Sequence, residues 1–138
     1  MDMMRMIEAG AARQNAPVRI LVVEDDPMIR HAIAEVLRDL DVFVIEAATA
    51  DEAWDYLESG GRADLVFTDH EMPGALKGAD LASRVHKTKP DLNVVLTSGT
   101  AGPAQWNGLL VKKPYPLFET AARLHRLARE PAQRTRKA

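Results

Sequence analysis

The chain has 138 residues, of which 46% are apolar, and its formal net charge at pH 7 is -2. This length corresponds to about one domain, and the apolar fraction is sufficient for a hydrophobic core. The slightly acidic balance is unlike the strongly basic balance of a dedicated nucleic-acid-binding protein. Because the chain contains no cysteine, disulfides and thiolate metal sites are excluded.

No stretch approaches eighteen consecutive apolar residues, so the sequence predicts no membrane-spanning helix. Charged residues interrupt the first part of the chain, which therefore lacks the continuous apolar region of a signal peptide. We expect a cytoplasmic protein without membrane contacts. The predicted domain covers residues 18–130 and lies between a flexible tail at residues 1–17, with a short leading helix as the alternative, and a flexible basic tail at residues 131–138.

Strand-like and helix-like patterns alternate along the chain in a five-fold βα pattern, which is typical of α/β winding. The first predicted strand is apolar on both faces, as buried parallel strands are. The predicted strands cover residues 19–24, 42–47, 64–68, 93–97 and 109–112.

The helices between these strands carry recognisable start signals. Asp26 is predicted to cap the first helix, with a proline at the first helical position. The first helix also has an apolar stripe that ends at Leu40. Thr49 and Glu52 form a capping box for the second helix, and the third is predicted over residues 76–87.

The segment between the fourth and fifth predicted strands, residues 99–108, contains three glycines and a proline. About ten residues of this composition are too few and too interrupted for a full helix. We therefore expect the fourth helix to be shortened or missing, with a final helix following the fifth strand.

Polar side chains stand where the apolar strand-like runs stop. They are Glu24 and Asp25 after the first run, Asp69 after the third, Ser98 after the fourth and Lys113 after the fifth. In an open parallel sheet, the carboxyl ends of the strands form one edge where ligands bind, so these groups are expected to share one site. Three carboxylates, a hydroxyl and an ammonium suit a hard divalent cation together with a phosphoryl group.

Four motifs, in this order, resemble those of the receiver domain of bacterial two-component response regulators, and the similarity spans residues 19–129. They are Ile20-Leu21-Val22-Val23-Glu24-Asp25-Asp26-Pro27, Asp69-x-x-Met72-Pro73-Gly74, Thr97-Ser98-Gly99 and Lys113-Pro114. The resemblance implies a flavodoxin-like, doubly wound, five-stranded parallel sheet of order 2-1-3-4-5. In that order Asp69 stands beside the Glu24-Asp25 pair.

The resemblance also implies a role for each site residue. Asp69 is the expected phosphoacceptor nucleophile, and Lys113 and Ser98 are expected to interact with the phosphoryl group. Mg²⁺ is the expected cofactor, because an oxygen-rich pocket without cysteine favours it over zinc. The expected metal ligands are Glu24, acting directly or through water, Asp25, Asp69 and the backbone carbonyl of Glu71.

Neighbouring residues compete for two of these roles. Lys112 and Lys113 alternate sides along the fifth strand, and Lys113 precedes the proline as the family pattern requires. Either Thr97 or Ser98 offers a hydroxyl, and Ser98 is preferred because a small glycine follows it. His70 is expected either to tune, with Glu71, the access of water to the phosphoaspartate or to be an exposed loop histidine.

The chain departs from the family at the switch. Three residues before the lysine, where many receivers carry an aromatic residue, it has Leu110. We expect an unusual signalling surface, formed by residues 99–108, Tyr115 and the last helix. The resemblance further implies a cis peptide bond before Pro114.

We interpret the chain as a stand-alone response regulator in a two-component phosphorelay. Its expected phosphodonor is a sensor histidine kinase or a histidine phosphotransfer protein, and its expected output is binding to an unidentified downstream protein. A phosphate sink or shuttle is the nearest variant of this function. A second copy of the chain is also considered as a partner, in a homodimer. We expect no enzymatic activity beyond its own phosphorylation and dephosphorylation. Nucleic acid is not an expected partner, although residues 120–138 carry a local charge of +5.

Three other classes serve as alternatives. A Mg²⁺-dependent phosphohydrolase would use the same chemistry, but usually has a second aspartate where this chain has Glu71. A flavodoxin would share the fold, but Glu24, Asp25 and Asp26 would repel its phosphate. A phosphorylation-independent interaction module would not need Asp69.

Overall fold

The structure, a computed structural model, describes residues 16–100, 102, 106 and 108–132. Residues 1–15 and 133–138 of the predicted tails lie outside this range. The described residues form five strands and four helices. These are β1 (Arg19–Val23), α1 (Pro27–Asp39), β2 (Phe43–Ala47), α2 (Ala50–Glu58), β3 (Leu65–Asp69), α3 (Gly78–Thr88), β4 (Asn93–Ser98), β5 (Leu109–Lys112) and α4 (Leu117–Ala128).

All five strands are parallel and lie in the order β2-β1-β3-β4-β5. The predicted doubly wound sheet of order 2-1-3-4-5 is confirmed. The strand order reverses between β1 and β3, and ligands of such sheets bind at the carboxyl ends of the strands beside this reversal. Val23 pairs with Thr68 and Asp69 with Thr97, so the ends of β1, β3 and β4 come together at one edge.

Alternating side chains of β1 enter two separate cores, one on each face of the sheet. Ile20 and Val22 pack on the face covered by α1 and α4, and Leu21 and Val23 on the face covered by α2 and α3. Each apolar residue of β1 is therefore buried, as expected for a strand between two helical layers. The resulting sandwich holds the strand ends in fixed positions.

The predicted helix start signals are present in the structure. The Asp26 carboxylate accepts hydrogen bonds from the backbone N–H groups of Met28 (2.9 Å) and Ile29 (3.4 Å). Leu40, predicted in the buried stripe of α1, is instead the C-terminal cap of the helix and 38% exposed. The third helix begins at Gly78 rather than residue 76, since the preceding Lys77 is extended and its N–H donates to the Asp80 carboxylate (2.9 Å).

The second helix uses a variant of the predicted capping box. The Thr49 hydroxyl accepts from the N–H of Glu52 (3.1 Å), as expected. The Glu52 carboxylate, however, accepts from the N–H of Ala48 (2.9 Å), one residue before the cap. Two backbone donors at the start of α2 are still satisfied.

The connection between β4 and β5 is described only in part. The described residues of this segment (99, 100, 102, 106 and 108) are not helical. The indole N–H of Trp106 donates to the carbonyl of Leu109 (3.0 Å), and Gly102 lies against the side chain of Leu110. The described residues therefore form four helices around the five-stranded sheet. This number agrees with the expected loss or shortening of the fourth family helix.

Candidate functional site

Three carboxylates meet at the carboxyl ends of β1 and β3. Glu24 follows β1, and its N–H continues the ladder to β2 by donating to the carbonyl of Ala47 (3.1 Å). Asp69 is the last residue of β3. Glu24 and Asp69 are buried and Asp25 is exposed, and carboxylate oxygens of the three residues lie within 4.8 Å of one another. The predicted convergence of these residues is present in the structure.

Lys113 places its ammonium among these carboxylates. Its Nζ donates to Oδ2 of Asp69 (2.9 Å) and to Oε1 of Glu24. Its backbone N–H donates to the carbonyl of Ser98 (2.8 Å), which extends the β4–β5 ladder by one residue. Lys112 is exposed, and the peptide bond between Lys113 and Pro114 is cis, as the resemblance implied.

Burial and charge act against each other in this cluster. Burial raises the pKa of Glu24 above its ordinary value, although hydrogen bonds from Lys113 and the N–H of Asp26 lower it. Burial by itself would lower the pKa of Lys113, but its hydrogen bonds to Glu24 and Asp69 outweigh burial and raise it. Burial raises the pKa of Tyr115 to about 12, and the negative charge of Glu24 adds to this shift. Lys113 therefore stays an ammonium.

The backbone after β3 is packed closely against Asp69. A Cβ atom added at Gly78 would lie 2.0 Å from the carbonyl oxygen of Asp69, so only glycine fits there without displacement. The N–H of Gly78 donates to the carbonyl of His70 (3.2 Å), and Nζ of Lys77 donates to the carbonyl of Met72 (2.8 Å). These contacts fix the loop that follows Asp69.

The hydroxyl of Ser98 belongs to a small polar network. Its oxygen lies 3.3 Å from Oε1 of Glu71 and accepts a hydrogen bond from the N–H of Thr100 (3.1 Å). The Thr100 hydroxyl donates to the same Glu71 oxygen (3.0 Å). The Glu71 N–H donates to Oδ1 of Asp69 (3.2 Å), which joins this network to the carboxylate cluster.

Thr97 and His70 are placed differently from the residues of this network. The Thr97 hydroxyl oxygen is buried and has no hydrogen-bond partner among the described residues. His70 is half-buried, and its backbone N–H donates to the carbonyl of Thr97 (2.8 Å). His70 is therefore not the exposed loop histidine considered as an alternative.

Sequence reasoning missed three contributions to the site. These are the Glu71 side chain as an acceptor for Ser98, the hydroxyl of Thr100, and Arg30, which donates to the carbonyl of Glu24 (2.9 Å). The contact of the Glu71 side chain was missed because Glu71 and Ser98 are 27 positions apart in the sequence. Thr100 and Arg30 lie closer in the sequence to predicted site residues, two positions after Ser98 and five positions after Asp25.

The donor set suits a hard divalent cation. The clustered side chains of Glu24, Asp25 and Asp69 offer only oxygen, and their ligand atoms are close enough to share one ion. Three carboxylates face one ammonium, so the cluster has an excess of negative charge when its carboxylates are ionised. The residues present therefore fit Mg²⁺ better than a metal that prefers nitrogen or sulfur.

A doubly wound sheet with three clustered carboxylates at its strand-order reversal defines a flavodoxin-like α/β protein. A family model described as the response regulator receiver domain matches residues 20–110. The chain belongs to this family, which is a family of signalling domains.

Relatives and solved structures agree with this assignment. The chain is 32% identical over 114 residues to the DNA-binding transcriptional regulator NtrC of Azospirillum brasilense, covering 78% of this chain and 23% of that protein. It is 32% identical over 110 residues to the sensor kinase CckA of Brucella abortus, covering 74% of this chain and 12% of that protein. The chain therefore spans less than a quarter of the length of these curated relatives.

The response regulator TrrA of Thermotoga maritima, whose structure was determined in complex with Mg²⁺ and BeF, is 30% identical to this chain. The two structures superpose with a TM-score of 0.71, covering 80% of this chain and 98% of TrrA. Within the described residues, no helix has both the length and the apolar character that crossing a membrane requires.

Proposed function

We propose that this chain is a phosphoacceptor response regulator that accepts a phosphoryl group on Asp69. The observation that carries the proposal is the position of the Asp69 carboxylate. It is buried at the end of β3, bonded to the ammonium of Lys113 and within reach of two further carboxylates. Such an arrangement supports a nucleophile whose reaction depends on positioning and on charge neutralisation.

The reaction forms one bond and breaks another. A carboxylate oxygen of Asp69 attacks phosphorus, the bond between phosphorus and the imidazole nitrogen of a phosphohistidine breaks, and the imidazole nitrogen of the donor keeps the electron pair. Lys113, which now bonds to Asp69 and Glu24, supplies an ammonium for the phosphoryl oxygens. Ser98 supplies a hydroxyl donor once its present contact with Glu71 is exchanged.

Glu24, Asp25 and Asp69 would hold Mg²⁺, together with the backbone carbonyl of Glu71. When bound, the cation neutralises charge on the transferring phosphoryl oxygens. The carboxylates themselves have two duties, since Asp69 must remain able to attack while Glu24 and Asp25 hold the cation beside it. Glu24 is buried and Asp25 is exposed, so the Asp25 side of the site stays open to the donor.

The proposed donor is a sensor histidine kinase or a histidine phosphotransfer protein, and the proposed output is binding to a downstream protein. Membership of the receiver family and the relation to the sensor kinase CckA support a donor of this kind. Leu110, which is half-buried under Gly102, takes the position of the family's switching aromatic residue. The signal would therefore pass through the segment between β4 and β5 without that ring.

The test is the intact mass of the protein after incubation with Mg²⁺ and a small phosphodonor. We expect one phosphoryl adduct in the wild type, no adduct in Asp69→Asn and no adduct when EDTA is present. Asp55→Asn, which changes an exposed aspartate of α2, is the matched control and should keep the adduct.

An adduct that persists in Asp69→Asn would contradict the proposed acceptor. A wild type that binds Mg²⁺ and forms no adduct would instead support the phosphorylation-independent interaction module. Repeated turnover of a small phosphate ester would support the phosphohydrolase alternative.

A further inference from the structure

Arg30 connects the backbone of the acidic pair to strand β2. Its side chain, 16% exposed, extends from the first turn of α1. Nη1 donates to the backbone carbonyl of Glu24 (2.9 Å), and Nε donates to Oε1 of Glu46 on β2 (3.3 Å). One guanidinium therefore joins a helix, the loop after β1 and the neighbouring strand.

The carbonyl that Arg30 binds belongs to the peptide unit joining Glu24 to Asp25. The N–H of Glu24 is already fixed by the carbonyl of Ala47 (3.1 Å). With Arg30 on its carbonyl, Glu24 is held on both sides of its Cα atom. The orientation of this peptide plane determines where the side chains of both acidic residues point, because they project from its two ends.

A guanidinium behind a cation site would repel the cation unless its charge were compensated. Glu46, 19% exposed, provides this compensation for Arg30. The same carboxylate accepts from Arg38 (3.0 Å), and its Oε1 lies 3.1 Å from Nδ1 of His31, so three side chains surround it. The paired guanidinium can then fix the backbone without opposing a divalent ion.

We propose that Arg30, held by Glu46, is a positioning residue that sets the affinity of the carboxylate cluster for Mg²⁺. It touches neither the reacting carboxylate nor the metal ligand atoms, and acts through the Glu24–Asp25 peptide. The inference rests on the proposed function for its metal and its phosphoryl transfer. Groups that orient metal ligands typically change metal affinity by about 10-fold to 100-fold when removed.

Arginine suits this role because its donors point in different directions from one rigid plane. The Nε and Nη1 atoms reach two acceptors that lie on different elements. Lysine has a single nitrogen on a flexible chain, so it cannot reproduce both contacts in the same geometry. Arg30→Lys should therefore recover only part of the effect of the arginine.

The experiment is calorimetric titration of the full chain with Mg²⁺ in the absence of phosphodonor. We expect Arg30→Met to raise the Kd for Mg²⁺ about tenfold, and Arg30→Lys to raise it less. Glu46→Gln should also raise the Kd, because it leaves the guanidinium uncompensated and less constrained. Arg38→Met is the matched control, since Arg38 shares Glu46 with Arg30 and does not bond to the Glu24 carbonyl, and its Kd should stay within about twofold of the wild type.

Two readouts separate positioning from general stability. Urea unfolding shows whether each variant is folded under the conditions of titration, and the rate of phosphorylation is then measured against Mg²⁺ concentration. We expect the Arg30→Met curve to move to higher Mg²⁺ and to approach the wild-type rate at saturation. A folded Arg30→Met protein with the wild-type Kd, or equal shifts in Arg30→Met and Arg38→Met, would overturn the inference.

The same data distinguish this inference from the proposed function. A wild type that binds Mg²⁺ with an Arg30-dependent Kd and forms no phosphoryl adduct would overturn the function and leave the positioning role intact. A wild type that binds no Mg²⁺ would overturn the positioning role, whatever its phosphorylation.

Discussion

The site has two halves that are held in different ways. The acidic half consists of Glu24, Asp25, Asp69 and Lys113, and the hydroxyl half of Glu71, Ser98 and Thr100. In the acidic half the side chains of Glu24, Asp69 and Lys113 are 5%, 7% and 19% exposed and joined by ion pairs. In the hydroxyl half the side chains of the exposed residues Glu71 and Thr100 are joined to Ser98 by neutral or singly charged hydrogen bonds.

This difference suits the acidic half to the phosphoryl-transfer reaction and the hydroxyl half to a change of contacts after phosphorylation. The acidic half is anchored to the sandwich core through strand ends, which keeps charged groups in place for a reaction that depends on positioning. The hydroxyl half is held by a few contacts of about 1 kcal/mol each, so a new acceptor can replace them. A phosphoryl oxygen on Asp69 would be such an acceptor for Ser98. Matched substitutions in the two halves should therefore have different effects.

The largest effect is expected from Gly78→Ala, which acts on the acidic half. The new methyl group would overlap the carbonyl oxygen of Asp69, which lies 2.0 Å from the ideal Cβ position and belongs to a buried strand. Both the loop and the end of β3 must move, at a cost of about 3 kcal/mol in the free energy of unfolding. Urea unfolding measures this loss, and the phosphorylation rate should fall with it.

Gly99→Ala is the matched change in the hydroxyl half. A Cβ atom at Gly99 meets nothing within 4 Å, and we expect a change below about 0.5 kcal/mol. Equal destabilisation by the two substitutions would remove the proposed contrast between a rigid and an adaptable half.

Lys113→Met should have the next largest effect. It leaves the carboxylates of Glu24 and Asp69 facing each other in a buried site without their shared ammonium. We expect a loss of about 2 kcal/mol without Mg²⁺, below the value for a fully buried pair because the lysine is partly exposed. Added Mg²⁺ should restore more stability to this variant than to the wild type, because the cation compensates the same charges. Urea unfolding with and without Mg²⁺ measures both effects.

Lys112→Met is the control for that substitution. Lys112 is exposed on the adjacent position, so its removal should change stability by less than about 0.5 kcal/mol. The interpretation of the acidic half fails if both lysine variants are destabilised to the same extent and respond equally to Mg²⁺.

The acidic half was largely predictable from the sequence because period-two alternation and strand ends determine it. An apolar run that stops at Glu24, and another that stops at Asp69, place both carboxylates at one sheet edge when the strands are parallel neighbours. The same alternation separates Lys113 from Lys112. The strand order itself came from the resemblance to receiver domains.

The hydroxyl half and the Arg30 contacts could not be read from local patterns. Glu71 meets Ser98 because the loop after β3 folds toward the end of the neighbouring strand β4, and the local sequence does not specify that approach. Arg30 meets Glu46 because α1 crosses near β2, at a sequence separation of 16 residues. Leu40 shows that helix ends are also difficult to predict. It has the spacing of the apolar stripe, but the helix ends at Asp39.

Glu71→Ala tests the hydroxyl half directly. It removes the acceptor that now binds the hydroxyls of Ser98 and Thr100, and it removes a negative charge beside the incoming phosphoryl group. We expect stability to change by less than about 1 kcal/mol and the initial phosphorylation rate to rise about three-fold to ten-fold. Time-resolved intact mass with a small phosphodonor measures the rate.

Glu58→Ala, at the exposed end of α2, is the charge-matched control and should leave the rate unchanged. A slower reaction in Glu71→Ala would mean that the carboxylate helps to organise the site. The hydroxyl half would then belong with the acidic half as a fixed part of the chemistry.

The smallest effect is expected at Tyr115, which lies beside the acidic half with its ring edge-to-face against Phe67 (5.6 Å between centroids). Burial raises the pKa of Tyr115 from 10.0 to about 12, so the folded protein keeps a phenolic proton that the unfolded chain has lost. Its contribution to stability is therefore complete below pH 10 and is lost as the pH rises toward 12. Because the ring is only partly buried, this loss should be at most about 1 kcal/mol per pH unit. Tyr115→Phe keeps the ring contact and should lose less stability over the same interval, as measured by urea unfolding at the two ends of that range. An identical alkaline loss in the variant would show that another group, such as the Lys113 ammonium, whose pKa is raised by its bonds to Glu24 and Asp69, limits stability at high pH rather than the phenol.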